Sequence, residues 1–108
     1  EEQSLIGGIA ENTYQHYFVD KAFIGIGGVD LDVGLTEYNV EDAQIKGHMI
    51  RSSQQRILLA DSAKFGRRKF VNVVPLSDID TIVTDDSLDD EYQEALKQVV
   101  DLHVISIN

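Results

Sequence analysis

Four short apolar runs, the first three each closed by a polar or glycine-rich turn, set the strongest limit on how this chain folds. They are Phe18 to Ile26, Arg56 to Ala60, Thr81 to Thr84 and Leu102 to Ile107. Each is mostly apolar or β-branched and too short for a typical helix, so each reads as a strand. Helical patterns lie between them. Asn39-Val40-Glu41-Asp42 has the form of a capping box, and a helix to about Gln54 follows, with Val40, Ala43, Ile45, Met49 and Ile50 inward. Gly47 weakens that helix by roughly 1 kcal/mol relative to Ala, which marks a close packing contact. Ser87-Leu88-Asp89-Asp90 repeats the capping pattern ahead of a face made by Leu88, Tyr92, Ala95, Leu96 and Val99.

The remaining stretches are connectors. Leu5-Ile6-Gly7-Gly8 steps into a turn, and Ile9 to Tyr17 reads as a short helix. Val29 to Glu37 reads as a loop that turns at Gly34. Phe70 to Leu76 is extended and broken by Pro75, and Ser77 to Asp80 is one helical turn. Strands alternating with helices predict an α/β fold with a mainly parallel sheet flanked by helices.

Size and charge narrow the functions open to such a fold. The 108 residues suit a single domain. Nine basic residues stand against 19 acidic ones, a formal charge of -10. This chain alone is therefore a poor partner for DNA, RNA or an anionic membrane. With no cysteine, it has no thiol nucleophile, thiolate metal site or disulfide frame, and it fits a reducing compartment. No run reaches the roughly 18 apolar residues of a membrane span. Glu1-Glu2-Gln3-Ser4 lacks both a Met start and the character of a signal peptide, so the chain reads as processed or as a piece of something longer.

In open parallel sheets ligands bind beyond the C-terminal ends of the strands. Three such ends are polar here: Gly25-Ile26-Gly27-Gly28-Val29-Asp30, Asp61-Ser62-Ala63-Lys64 and Thr84-Asp85-Asp86. Lys64, Arg67, Arg68 and Lys69 put four of the nine basic residues into six positions beside the second end. Such a cluster suits an anionic small ligand, with Lys64 as a point charge on phosphate and Ser62 and backbone N–H groups as donors. It equally suits a solvated loop that offsets an acidic surface. Gly25-x-Gly27-x-x-Asp30 is one residue short of a dinucleotide fingerprint and does not lead at once into a helix. His16, His48 and His103 are scattered, so no metal site is expected, and no cofactor is called for. No Gly-x-Ser-x-Gly elbow surrounds any serine, so no nucleophilic triad is expected.

Several segments, in order, resemble one family. "DKAFIGIGGVD" from Asp20 to Asp30, "GLT" from Gly34 to Thr36, Glu41 to Lys46, "LADSAKFG" from Leu59 to Gly66, and Ile79 to Asp85 are similar to the effector-binding domain of DeoR-family bacterial transcription repressors. The likeness runs from about Ser4 to the C-terminus. It implies a fold akin to ribose-5-phosphate isomerases, glucosamine-6-phosphate deaminases and CoA transferases, of which this chain would be the C-terminal part. It also implies a sensor for a phosphorylated sugar or related metabolite, joined to an N-terminal winged helix-turn-helix that these residues do not contain.

On that resemblance, Lys64, Ser62 and Asp61 contact the effector, and the backbone of Gly25, Gly27 and Gly28 lines the site. Glu41 and Lys46 stand at its edge. The enzymes carry acidic residues in the glycine-turn segment where this chain has Ile24, Gly27 and Gly28, which favours a sensor over a catalyst. They also place their lysine in an Asp-x-Ser-Lys loop, whereas here Ala63 separates Ser62 from Lys64. The family's Asp-x-Gly-Thr-Thr phosphate loop lacks a counterpart in these residues. A cytoplasmic homo-oligomer is the expected state. The alternatives are a remnant of a sugar-phosphate isomerase or deaminase, and an oligomerisation module that uses Tyr14, Tyr17 and Tyr92 for contacts.

Overall fold

A computed structural model describes residues 19–106 of the chain. The turn at Gly7-Gly8, the helix from Ile9 to Tyr17 with Tyr14 and His16, Phe18 of the first apolar run and Ile107 of the fourth lie outside the described residues.

The four apolar runs form the main sheet. Strands β1 (Val19–Ile24), β4 (Ser53–Leu59), β6 (Thr81–Asp85) and β7 (Asp101–Ile105) lie side by side in that order, all parallel. The register sets Ile24 beside Leu58, and Leu58 beside Ile82. Ala22, Ile24, Leu58 and Ile82 therefore share one face, and all are at most 3% exposed. Helix α1 (Val40–Arg51) and helix α2 (Asp90–Lys97) bring Ile50 and Leu96 to the core on that side. The opposite face leaves Phe23, Leu59 and Ile105 exposed. In β4 the adjacent Ile57 and Leu58, which point to opposite faces, are both buried, as its apolar character suggested, whereas Leu59 at the end of the strand is exposed.

A second sheet is the main departure from the sequence reading. The stretch expected as a loop folds into β2 (Gly28–Asp30) and β3 (Gly34–Glu37), and β5 (Val71–Val74) pairs with β3 to give an antiparallel order β2-β3-β5. The turn between β2 and β3 is built by Asp30, whose carboxylate accepts the N–H groups of Asp32 at 2.8 Å and Val33 at 3.0 Å. Gly34 then takes φ 94°, and an added Cβ would stand 2.4 Å from the Val74 carbonyl oxygen. Val29, Leu35 and Val74 face the same core as the main sheet. The two sheets and two helices thus bury one shared interior.

The helix limits shift for local reasons. Asn39 caps α1 as expected, accepting the Asp42 N–H at 2.8 Å. The helix stops at Arg51 rather than near Gln54, because β4 begins at Ser53 and pairs there with Val19. The Ser53 hydroxyl donates to the Met49 carbonyl across that junction at 2.6 Å. Val40, expected inward, is exposed, whereas Ala43, Ile45 and Ile50 are buried. Gly47 is buried, and a Cβ added there would meet the Arg51 guanidinium of its own helix at 2.9 Å. The cap of α2 is Asp89, which accepts the Tyr92 N–H at 2.8 Å, not Ser87. Val99 is exposed beyond the end of α2. Among the described residues no helix is long and apolar enough to cross a membrane.

Candidate functional site

A polar pocket opens at the C-terminal ends of β1 and β4. Its lining comes from Ile26 and Gly27 after β1, Glu37 at the end of β3, Tyr38 and Asn39 on the link to α1, Asp42 and Lys46 on α1, and Lys64 after β4. Asp42 and Lys46 are four residues apart and so share one side of the helix. The second sheet matters here, because it delivers Glu37 to the mouth of the first.

Glu37 is the buried anchor of the pocket, only 3% exposed. Its Oε2 pairs with the Lys46 ammonium and accepts the Gly27 N–H at 2.9 Å. Its Oε1 accepts the N–H of Tyr38 at 3.2 Å. One carboxylate thus ties the glycine turn of β1, the end of β3 and the middle of α1 together. A side chain at position 27 would meet Glu37 Oε1 at 3.0 Å and the Tyr38 ring at 3.1 Å, which explains the glycine there.

Lys64 enters from a rigid turn. Residues Ser62–Lys64 form a single 3-10 turn, with the Asp61 carboxylate accepting the Ala63 N–H at 3.0 Å. From β6, Asp85 accepts the Ser62 N–H at 2.8 Å. On the far side, the Gly66 N–H donates to the Val29 carbonyl at 2.8 Å and to the Tyr92 hydroxyl oxygen at 3.1 Å. The Tyr92 ring meets Phe65 edge-on at 5.6 Å between centroids. The turn is held from both flanks, while the Lys64 ammonium has no salt bridge or hydrogen bond among the described residues.

The other members of the basic cluster are used differently. Arg68 pairs with Asp30 at 3.3 Å and reaches Asp32 at 4.0 Å. Lys69 lies 5.0 Å over the ring of Tyr38, a cation–π contact. Arg67 is exposed, and its carbonyl packs against Gly28. Of the four clustered cations, only Lys64 lines the pocket.

Of the residues singled out from sequence, Lys64, Lys46 and Gly27 meet in this pocket. Asp61 lines a separate, more apolar recess with Leu59, Val83, Asp85 and Ile105. Ser62 holds the turn through its N–H rather than lining either recess. Gly25 and Gly28 are not in the lining, and Glu41 is exposed on the first turn of α1, where Asp42 lines the pocket instead. Glu37 and Tyr38 carry no sequence signal as site residues, and Asn39 is expected only as a helix cap. Asp42 was read only as part of a helix cap. No group of three or more His, Asp or Glu residues that suits a metal is found among the described residues. Tyr92, placed by the helical pattern on the same face as Leu88 and Leu96, packs against the core and supports the Lys64 turn; only the oligomerisation alternative had it as an exposed contact residue.

Two groups around the turn have displaced acidities. The N–H groups of Ser62 and then Ser87 hold the Asp85 carboxyl below the usual carboxylate range. Burial, partly offset by the Gly66 N–H, raises the Tyr92 hydroxyl above its usual value. A lowered folded-state pKa means that Asp85 supports the fold above its unfolded value of 3.8, and that this support fades as pH falls through the lower folded value. The Ser62 amide is therefore expected to lose protection against hydrogen exchange as pH falls through that lowered value, and Asp85→Asn should remove that pH step. An unchanged step in the variant would contradict the assignment.

Gly28 gives a second expectation. An added Cβ there would stand 2.5 Å from the Arg67 carbonyl oxygen, so backbone must move. Gly28→Ala should cost about 1–3 kcal/mol in urea unfolding. The residue packs β2 against the cationic loop and does not line the pocket.

The arrangement defines a class: a small α/β fold with a polar pocket at parallel strand ends, lined by a lysine that has no ion pair or hydrogen bond among the described residues. The family model for the DeoR C terminal sensor domain matches residues 1–86. The chain belongs to that sensor-domain family. It is 37% identical over 94 residues to an uncharacterized HTH-type transcriptional regulator, YulB, of Bacillus subtilis, covering 87% of this chain and 36% of that protein. It is 34% identical over 95 residues to the HTH-type transcriptional regulator GlpR of Haloferax volcanii, covering 88% of this chain and 37% of that protein. It is also 34% identical over 82 residues to the glycerol-3-phosphate regulon repressor of Haemophilus influenzae, covering 76% of this chain and 32% of that protein. The chain thus spans about a third of the length of these relatives.

Proposed function

We propose that this chain is the sensing part of a transcriptional regulator, and that the pocket between Lys64 and Lys46 binds a phosphorylated sugar or related metabolite as effector. The observation that carries the reading is Lys64: an unpaired cation held on a clamped turn, inside a polar pocket, on a chain of formal charge -10. A protein this acidic repels anions in general, so a fixed cation at a strand end supports binding of one particular anion. The matched Haemophilus influenzae protein is named for the glycerol-3-phosphate regulon, which fits a phosphorylated effector.

DNA contact then belongs to a winged helix-turn-helix elsewhere in the parent protein, since this chain lacks the positive charge that duplex binding needs. Effector binding shifts the parent between DNA-binding and released states by its differential affinity for the two. The parent acts as a cytoplasmic homo-oligomer, and this chain is one part of its sensor domain.

An isomerase or deaminase reading draws on Glu37, because the pocket holds a carboxylate after all, delivered by β3 and not by the glycine turn. That carboxylate already accepts from Lys46, Gly27 and Tyr38. A base so fully engaged is poorly placed to abstract a proton, which favours binding without turnover. Calorimetric titration of glycerol 3-phosphate and a panel of hexose and pentose phosphates into the full-length parent tests the proposal. Saturable binding that alters affinity for operator DNA is expected. Binding to none of the panel would overturn it, and turnover of any member would favour the enzyme reading.

A further inference from the structure

The turn that carries Lys64 is joined to α2 through one side chain. The Gly66 N–H is shared between the Val29 carbonyl oxygen at 2.8 Å and the Tyr92 hydroxyl oxygen at 3.1 Å. The same carbonyl also accepts the Arg67 N–H at 3.3 Å and the Tyr92 hydroxyl at 3.4 Å. Three donors thus converge on an oxygen that has two lone pairs. The longest of the three bonds, from Tyr92, is the weakest and the readiest to exchange. Among the described residues no other hydrogen bond or ion pair links α2 to residues 61–66. The two sides of this link differ in stiffness. Val29 is fully buried in β2, and Asp85 pins the turn to β6. Within α2 only Leu96 is fully buried, with Tyr92 partly buried against the core. A short helix with so little buried surface is the softer side.

We infer, resting on the reading of Lys64 as the anion-binding residue, that Tyr92 is a positioning residue that sets the Lys64 turn and makes α2 the element that responds to ligand. An anion at the Lys64 ammonium pulls on a turn that ends at the shared Gly66 N–H. A small shift of Gly66 and Arg67 changes which donors hold the Val29 oxygen. The Tyr92 hydroxyl, the weakest of them, then makes or loses its bond. The ring passes that change to α2, whose Asp90, Glu91 and Glu94 are exposed, so the response reaches the surface. Coupling requires such an element with two arrangements, one of which the ligand favours.

The test is hydrogen exchange on the full-length parent, with inorganic phosphate, glycerol 3-phosphate and the hexose and pentose phosphates of the calorimetric panel as probes. In the wild type, a probe that binds through Lys64 should slow exchange at Ser62, at Gly66 and across Gln93 to Leu96 of α2, by about threefold or more. Tyr92→Phe keeps the ring against Phe65 and removes only the hydroxyl, so its Tm should stay close to that of the wild type. Its probe affinity should fall about two- to tenfold, the worth of one hydrogen bond. The slowing at Ser62 should remain in this variant and the slowing in α2 should disappear. Tyr92→Leu, which also loses the ring contact, should lower Tm further without restoring the α2 response. A lowered Tm in Tyr92→Phe with the α2 response retained is what a merely structural tyrosine gives, and it would overturn the inference. An α2 indifferent to a probe whose binding requires Lys64 would overturn it as well, with the phosphate reading left standing. If no probe binds in a Lys64-dependent way, the phosphate reading fails and this inference fails with it.

Discussion

Replacing Lys64 by alanine should weaken effector binding by about 10- to 100-fold while leaving the fold intact. A charge-assisted hydrogen bond to phosphate is worth about 1.5–3 kcal/mol, and each 1.4 kcal/mol is tenfold in affinity. The turn that carries Lys64 does not depend on its side chain. Its backbone is fixed by Asp61, Asp85, Val29 and Tyr92, all through bonds to N–H groups of residues 62–66. Melting temperature should therefore move little, and calorimetry on the full-length parent should show the loss as affinity alone. Lys64→Arg should recover part of it, because a guanidinium still supplies charge but meets phosphate in a different geometry. Unchanged affinity in Lys64→Ala would remove the central residue from the proposed site.

Glu37→Ala should have the largest effect on stability of any change in the pocket. It strands the Lys46 ammonium, 16% exposed, without its partner and deprives the Gly27 N–H of its acceptor. Removing one member of a buried pair typically costs about 3–5 kcal/mol, far more than the pair itself contributes. For a domain of this size about 3 kcal/mol corresponds to a fall of roughly 12–24 °C in Tm. The double variant Glu37→Ala with Lys46→Ala should lose much less than the sum of the two single changes, because no unpaired charge remains. Thermal melts and urea curves on the four proteins would measure this, and strictly additive losses would show that the pair is not coupled.

The two residues differ in how plainly the sequence announced them. Lys64 follows a short apolar run and a polar turn, so its place at a strand end follows from local pattern. The same holds for the Asn39 cap, the run of four parallel strands and the buried positions Ala43, Ile45 and Ile50 of α1. Glu37 carried no such signal. It ends a four-residue strand that is buried at every position, Gly34 to Glu37, and that includes the polar Thr36 at 0% exposure. Neither alternation nor a helical period marks that stretch. Glycine, threonine and glutamate there read as a loop.

What turns those residues into a strand lies far along the chain. Thr36 pairs with Asn72, and its hydroxyl oxygen accepts the Lys69 N–H at 2.9 Å while the hydroxyl donates to the Gly28 carbonyl at 3.2 Å. Those bonds make burial of a polar side chain tolerable, and none of them is visible within a window of local sequence. The amino-acid order by itself thus established the α/β frame, the strand ends and the cation that faces them, because hydrophobic period and turn chemistry are local properties. Only the tertiary structure decided that a second sheet forms and that its last residue, Glu37, neutralises Lys46. Whether a buried carboxylate survives depends on partners that only folding brings within reach.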